Sequence, residues 1–243
     1  MIFDHNSVLQ NKKRANKIGR NFFLHKLACK NLEDRISDLE ITLNEGIVFG
    51  AEKEDFLRLD RKIKIGYYDF FEQRVINQKS DIVLNILNLH WSNNPSKDLS
   101  SQIALLKPGG VFFCCLFGVN TLKELRDSFL KAEMEILGIA SPRVSPLPDI
   151  RDIGNLANNL GLKRCVADRE LLTNEYGAVI ELLKCLRAMG ETNATLERKK
   201  CFSRRDVFDL MTKYYQKNYR VSKNQSGIKA TFEIIFLYGE KNK

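Results

Sequence analysis

The chain has 243 residues, of which 44% are hydrophobic and 28% charged, with a formal net charge of +9. This is ordinary for a soluble globular protein of one α/β domain, and the densest apolar run, Val111 to Gly118, is far too short to span a bilayer. The positive charge permits an acidic partner, but the basic residues are scattered, so nucleic acid is not the expected one.

The N-terminus, Met1-Ile2-Phe3-Asp4-His5, turns polar at once and lacks the basic, apolar and small-residue succession of a secretory signal. The expected compartment is a bacterial cytoplasm, or the mitochondrial matrix in a eukaryote. From Ser7 to Glu40 the residues Phe22, Phe23, Leu27, Leu32, Ile36 and Leu39 recur at roughly three- and four-residue steps, which predicts one or two helices. Strands are predicted at Gly46 to Gly50 and Lys62 to Tyr68, with a helix-like stretch from Lys53 to Leu59 between them. Asp81 to Leu87 reads as a parallel strand buried on both faces. The stretch from Gly50 to Asp81 is too short for two βαβ crossovers of about 30 residues each, so one unit is trimmed or irregular.

A helix is predicted from Pro95 to Leu106, after which Lys107-Pro108-Gly109-Gly110 forces a stop and a turn. Gly110 to Phe117 is the next buried strand. Thr121 to Leu137 reads as an amphipathic helix with Thr121 and Glu124 as a capping box. Gly138 to Pro148 is a proline-containing loop, Asp149 caps a helix that Gly161 ends, and Lys163 to Leu172 is a strand. Helices around Glu175 to Met189 and Ser203 to Tyr219 precede a turn at Asn224 to Gly227 and a last strand, Lys229 to Tyr238. The alternation predicts a Rossmann-like, doubly wound sheet in a single domain. Its expected parts are an N-terminal helical lid (1–40), a sheet core (41–175), a helical insertion (176–220) and a last strand (228–240) that need not run parallel to the others.

Open α/β sheets place ligands at the carboxyl ends of their strands, which singles out Asn85, Asn88 and His90. They either line a reaction centre, with His90 as a base, or form a buried polar cap. Trp91 reads as a packing anchor at the rim of that pocket, on the substrate side, rather than as a cofactor platform. Arg143, and Arg187 with Glu191 and Asn193, either engage a substrate or form internal salt bridges. Cys29, Cys114, Cys115, Cys165, Cys185 and Cys201 form no C-x-x-C pair and have no nearby histidine series, so they read as reduced packing residues and no metal site is expected.

The ordered set Asp81-x-Val83, Leu89-His90-Trp91, Leu106-Lys107-Pro108-Gly109-Gly110 and Phe117-Gly118-x-x-Thr121-Leu122-x-Glu124-Leu125-Arg126 resembles one branch of the class I S-adenosylmethionine (SAM) methyltransferases. Ser141-Pro142-Arg143-Val144-Ser145-Pro146, Leu186-Arg187-x-Met189-Gly190-Glu191-x-Asn193 and Ala230-Thr231-Phe232-Glu233-Ile234 look like the bacterial relatives of mitochondrial complex I assembly factor 5. A more distant resemblance is to the malonyl-carrier-protein methyltransferase of biotin synthesis. The resemblance implies a SAM-binding sheet with an antiparallel last strand. In the assembly-factor branch it implies action on a respiratory complex I subunit, by arginine hydroxylation rather than methyl transfer.

Aligned by the resemblance, Ile47 to Glu54 occupies the place of Leu-Asp-Leu-Gly-x-x-x-Gly, and only Gly50 is retained. Val48 stands where the usual carboxylate would be, and Glu54 replaces the second glycine, adding bulk and negative charge beside the expected methionine carboxylate. The implied SAM contacts are Gly50, Ala51, Asn85 and Asn88, with Asp69 either on the ribose hydroxyls or serving as a loop carboxylate. Three functions follow: a SAM-dependent enzyme acting on a protein or assisting its assembly, a non-catalytic assembly factor with a degenerate SAM site, and a malonyl-carrier-protein methyltransferase.

Overall fold

Every residue of Ser80–Ile86 except Asp81 is buried, as a strand covered on both faces requires. In the computed structural model, which describes residues 1–19, 23–71, 76–201, 203–222 and 225–243, this strand is β3, with β1 (Glu45–Phe49) on one side and β4 (Leu106–Phe117) on the other, both parallel to it. Phe22 and Asn224, expected in the first helical region and the final turn, lie outside the described residues. The remaining strands are β2 (Lys64–Tyr68), β5 (Lys163–Tyr176), β6 (Arg220–Ser222) and β7 (Gln225–Glu240). The order is β2-β1-β3-β4-β7-β5, with β6 beside β7, and β7 runs antiparallel to β4.

The helices are α1 (His5–Lys17), α2 (Phe23–Ser37), α3 (Leu57–Asp60), α4 (Pro95–Ala104), α5 (Lys123–Leu137), α6 (Ile150–Asn159), α7 (Val179–Met189) and α8 (Arg205–Asn218). The short stretch between Gly50 and Asp81 holds a single strand, β2, reached through a 3-10 turn at Lys53–Phe56 and the four-residue α3. No helix follows β2 among the described residues before β3 begins.

The chain divides into two compact units. The first comprises Met1–Phe22, Val119–Leu147 and Leu171–Glu233, and the second Phe23–Gly118, Pro148–Glu170 and Ile234–Lys243. In the second unit the apolar faces of β1, β3, β4 and the end of β7 pack with α4 and α6 through Ile47, Val83, Leu99, Phe112, Ile153 and Ile235. Asn94 caps α4 by accepting the Lys97 amide, with Pro95 at the tolerated first position, and Asp149 caps α6 through the Arg151 amide. Asp81 accepts the amides of Asn44 and Glu45 and pairs with Lys107, fixing the entry to β1 against the bulged start of β4.

Two expectations are corrected. Lys107-Pro108-Gly109-Gly110 does not end an element before β4: it lies within β4, as a bulge between the pairs Ser80–Leu106 and Ile82–Val111. Gly109 absorbs the detour with φ +75, a torsion that costs glycine little. In the first unit, Thr121 and Glu124 do not form a capping box on α5, whose cap Leu122 makes no side-chain hydrogen bond. The Thr121 hydroxyl instead donates to the Glu233 carbonyl and accepts its amide, while Glu124 accepts the amide and hydroxyl of Thr231. A strand edge from far along the chain outcompetes the local cap because these groups are buried, where an unmet donor is expensive.

Candidate functional site

β1 and β3 end side by side in the second unit, at the carboxyl edge where open sheets hold ligands. β1 runs into Gly50, which has φ +86. A Cβ there would lie 1.6 Å from Asn88 Nδ2 and 2.5 Å from the Ile86 carbonyl oxygen, so only glycine fits. The fold thus brings Gly50 and Asn88 into direct contact. The fully buried Asn88 carboxamide donates to the Ile86 carbonyl at 2.7 Å and covers the face of Gly50. Leu87, between them, also has positive φ, a sparsely populated state for leucine that its amide bond to the Cys115 carbonyl helps to hold.

Several polar groups of the turn are engaged by the protein. The Gly50 amide donates to the Tyr68 carbonyl at 3.3 Å, and the Gly50 carbonyl meets His25 Nε2 at 2.8 Å. The Glu52 amide donates to Asp55 at 2.9 Å. At the start of α3, Glu33 from α2 accepts the amides of both Arg58 and Leu59 at 3.1 Å and pairs with the Arg58 guanidinium. Ala51 is half-buried in the same turn.

Asn85 is fully buried on β3, donating to Gln102 on α4 at 3.1 Å, while its Oδ1 accepts no hydrogen bond among the described residues. His90 is 5% exposed, with its ring 5.0 Å from Phe117 and 5.2 Å from Trp91. Trp91 is itself buried, as a packing anchor would be. Asp69 is exposed, and its carboxylate accepts the Phe71 amide at 2.8 Å, capping the turn that leaves β2.

The remaining substrate candidates belong to the first unit. Arg143 donates to the fully buried Glu133 through Nε at 2.9 Å and to Ser203 through Nη1 at 2.9 Å. Glu133 also accepts the Ser141 amide at 2.7 Å and Lys199 Nζ at 3.1 Å. Burial works against this carboxylate, but hydrogen bonds from Arg143, Ser141 and Lys199 outweigh it and hold the carboxyl down at about 2. Asn193 donates to the Pro142 carbonyl and accepts the amide and hydroxyl of Thr195, so it fastens the same loop. Arg187 is exposed on the last turn of α7, and Glu191 follows the cap Gly190 with its amide on the Leu186 carbonyl.

His25 was not singled out by sequence reasoning, although it sits four residues before Cys29 on one helix face. That spacing was the available signal; its partners, the Gly50 carbonyl and Asp55, come from remote parts of the sequence.

No family model matches the chain. The mitochondrial arginine-hydroxylase NDUFAF5 of Dictyostelium discoideum is 39% identical over 163 residues, covering 67% of this chain and 37% of the relative. Its Homo sapiens counterpart is 35% identical over 162 residues, 66% of this chain and 46% of the relative. The malonyl-[acyl-carrier protein] O-methyltransferase of Xylella fastidiosa is 30% identical over 162 residues, 67% of this chain and 52% of the relative. The matches therefore span about half or less of the length of these curated relatives. Among solved structures, a Bacillus halodurans protein whose name places it among the methyltransferases superposes with a TM-score of 0.55 at 13% identity, covering 88% of this chain and 99% of that one. The YcgJ protein of Bacillus subtilis does so with a TM-score of 0.52 at 10% identity, over 88% and 98%. These structures share the fold, and the relatives bear out both resemblances read from the sequence: the chain belongs to the class I, SAM-dependent methyltransferase superfamily.

Proposed function

We propose that this chain is an assembly factor of methyltransferase fold that neither holds SAM tightly nor transfers a methyl group. The observation that carries this reading is the turn after β1, where the Gly50 amide donates to the Tyr68 carbonyl, the Asp55 amide to the Glu52 carbonyl and the Glu52 amide to the Asp55 carboxylate. An anionic cofactor group needs open N–H donors and a favourable dipole at this place. Here Asp55 accepts the Glu52 amide, and Glu33 accepts those of Arg58 and Leu59. The helix that follows is only four residues long, and Glu52, Glu54 and Asp55 add like charge where the methionine carboxylate would lie. The residues present do not fit the cofactor.

An assembly role, with a respiratory complex I subunit as the partner, follows from the resemblance to the complex I assembly factor branch. A methyltransferase reading draws on one specific feature, the unpartnered Asn85 Oδ1 at the end of β3, which a ligand beside Asn88 and His90 would satisfy.

Isothermal titration calorimetry with SAM separates the two. No heat of binding up to millimolar ligand is expected. A Kd below about 0.1 mM that is abolished by Asn88→Ala in a folded variant would overturn the proposal.

A further inference from the structure

We propose that His25, Cys29 and Asp55 form a binding site for a borderline-soft divalent cation of the zinc class. α2 presents His25 and Cys29 on one face, a helical turn apart, and Asp55 reaches them from the 3-10 turn after β1. The nitrogen, sulfur and oxygen ligand atoms all lie within 4.8 Å of one another. His25 Nδ1 is 3.7 Å from Cys29 Sγ and 3.7 Å from Asp55 Oδ1. Ordinary zinc bond lengths in a tetrahedron place a nitrogen about 3.5 Å from a sulfur ligand and about 3.3 Å from an oxygen ligand. The two pairs that share Nδ1 therefore need a contraction of a few tenths of an ångström to close on an ion, and the sulfur and oxygen, within 4.8 Å of each other, must approach to about 3.6 Å.

The groups behind the ligands support the same assignment. The Gly50 carbonyl, 2.8 Å from Nε2, places a ring proton on that nitrogen, so in the neutral ring that a metal ion binds, Nδ1 faces the thiol and the carboxylate with its lone pair. The Glu52 amide holds Asp55 Oδ2, leaving Oδ1 turned to the histidine. A nucleophile pair would look different. In a cysteine–histidine–carboxylate relay the thiol and the carboxylate address opposite ring nitrogens, whereas here both address Nδ1. Cys29 is 1% exposed, while the His25 and Asp55 side chains are 17% and 19% exposed, so an ion enters past the histidine and carboxylate and meets the sulfur at the floor. Binding releases the thiol proton to solvent and leaves a thiolate–metal bond, with water as the fourth ligand and no change of oxidation state.

The proposal is independent of SAM binding, and its test reads the metal alone. The reduced full-length chain is titrated with cobalt(II) chloride while the thiolate-to-cobalt charge-transfer and tetrahedral d–d bands are followed, and zinc chloride is then added. One equivalent of cobalt is expected to bind and to be displaced by one equivalent of zinc. The bands should vanish in Cys29→Ser, weaken by about tenfold or more in Asp55→Asn, and persist in Cys201→Ser, which alters an exposed cysteine outside the cluster. Should Cys29→Ser lose its native circular dichroism, Asp55→Asn, at a partly exposed position, carries the test. Absence of the charge-transfer band in the folded wild-type chain, or its survival in folded Cys29→Ser, overturns the proposal.

Discussion

Replacing Glu133 by glutamine should be among the most destabilising isosteric changes in the first unit, and its cost should depend on pH in a defined way. Glu133 is fully buried on α5, and its carboxyl sits at about 2 against an ordinary 4.5. The difference corresponds to roughly 3 kcal/mol of stabilisation at neutral pH, since each unit is worth about 1.4 kcal/mol. Because the folded value lies below the unfolded one, this contribution is complete above pH 4.5 and is lost as pH falls from 4.5 towards 2. Glutamine also turns an amide group towards the Ser141 N–H or the Arg143 guanidinium, leaving that half-buried cation without its carboxylate, so the expected loss at pH 7 is about 3–5 kcal/mol. Urea unfolding followed by circular dichroism at pH 7 and pH 3 measures it, with an unchanged m-value as the control for two-state behaviour. The gap between wild type and variant should shrink by about 2 kcal/mol by pH 3. A gap that is equal at both pH values, or below about 1 kcal/mol at pH 7, would refute the electrostatic reading of this cluster.

Two further substitutions probe the turn after β1 and the anchoring of α5. Gly50→Ala should cost more than about 3 kcal/mol in thermal melts, because a left-handed torsion is combined with a Cβ placed 2.5 Å from the Ile86 carbonyl. Adding Asn88→Ala should recover only part of the loss, since the backbone oxygen remains; full recovery would show that the carboxamide alone enforces glycine. Thr231→Val should cost about 1–3 kcal/mol in chemical denaturation by stripping a buried partner from Glu124, and Thr231→Ser should restore most of it. A near-neutral Thr231→Val would mean that Glu124 finds water instead.

The buried runs that form β3 and β4 were legible because a parallel strand covered on both faces must be apolar almost throughout, as Ile82, Val83 and Leu84 are. The cap of α6 was legible because Asp149 acts on an amide two residues away. Thr121 and Glu124 carried the same local signal and were misread, since Glu233 and Thr231 lie more than a hundred residues downstream. At the candidate site, the bulk of Glu54 and the loss of Val48's usual carboxylate pointed to a weakened pocket. The polar groups that contact the turn were not visible: His25, Glu33 and Asp55 resemble any surface residues until α2 is laid against the turn. Arg143 was read as either a substrate contact or an internal salt bridge, and its buried partner Glu133 favours the second.

The role of α2 explains how a turn with Gly50 as its single glycine between Ile47 and Glu54 can remain folded. A glycine-rich turn that binds a cofactor leaves its amides open and depends on the ligand to satisfy them. Here one helix supplies both signs needed at the turn: the His25 ring donates to the Gly50 carbonyl, and the Glu33 carboxylate accepts the first amides of α3. Asp55 closes the interval between them. Glycine is then required only at Gly50, where Asn88 and the Ile86 carbonyl leave no space, and the neighbouring positions are released to become glutamates. The same arrangement gathers a histidine, a thiol and a carboxylate at the base of the turn, so a cation bound there would tie α2 to the end of β1 where a nucleotide otherwise would. Both proposals, weak SAM binding and a cation site, therefore rest on the same packing of α2 against the turn.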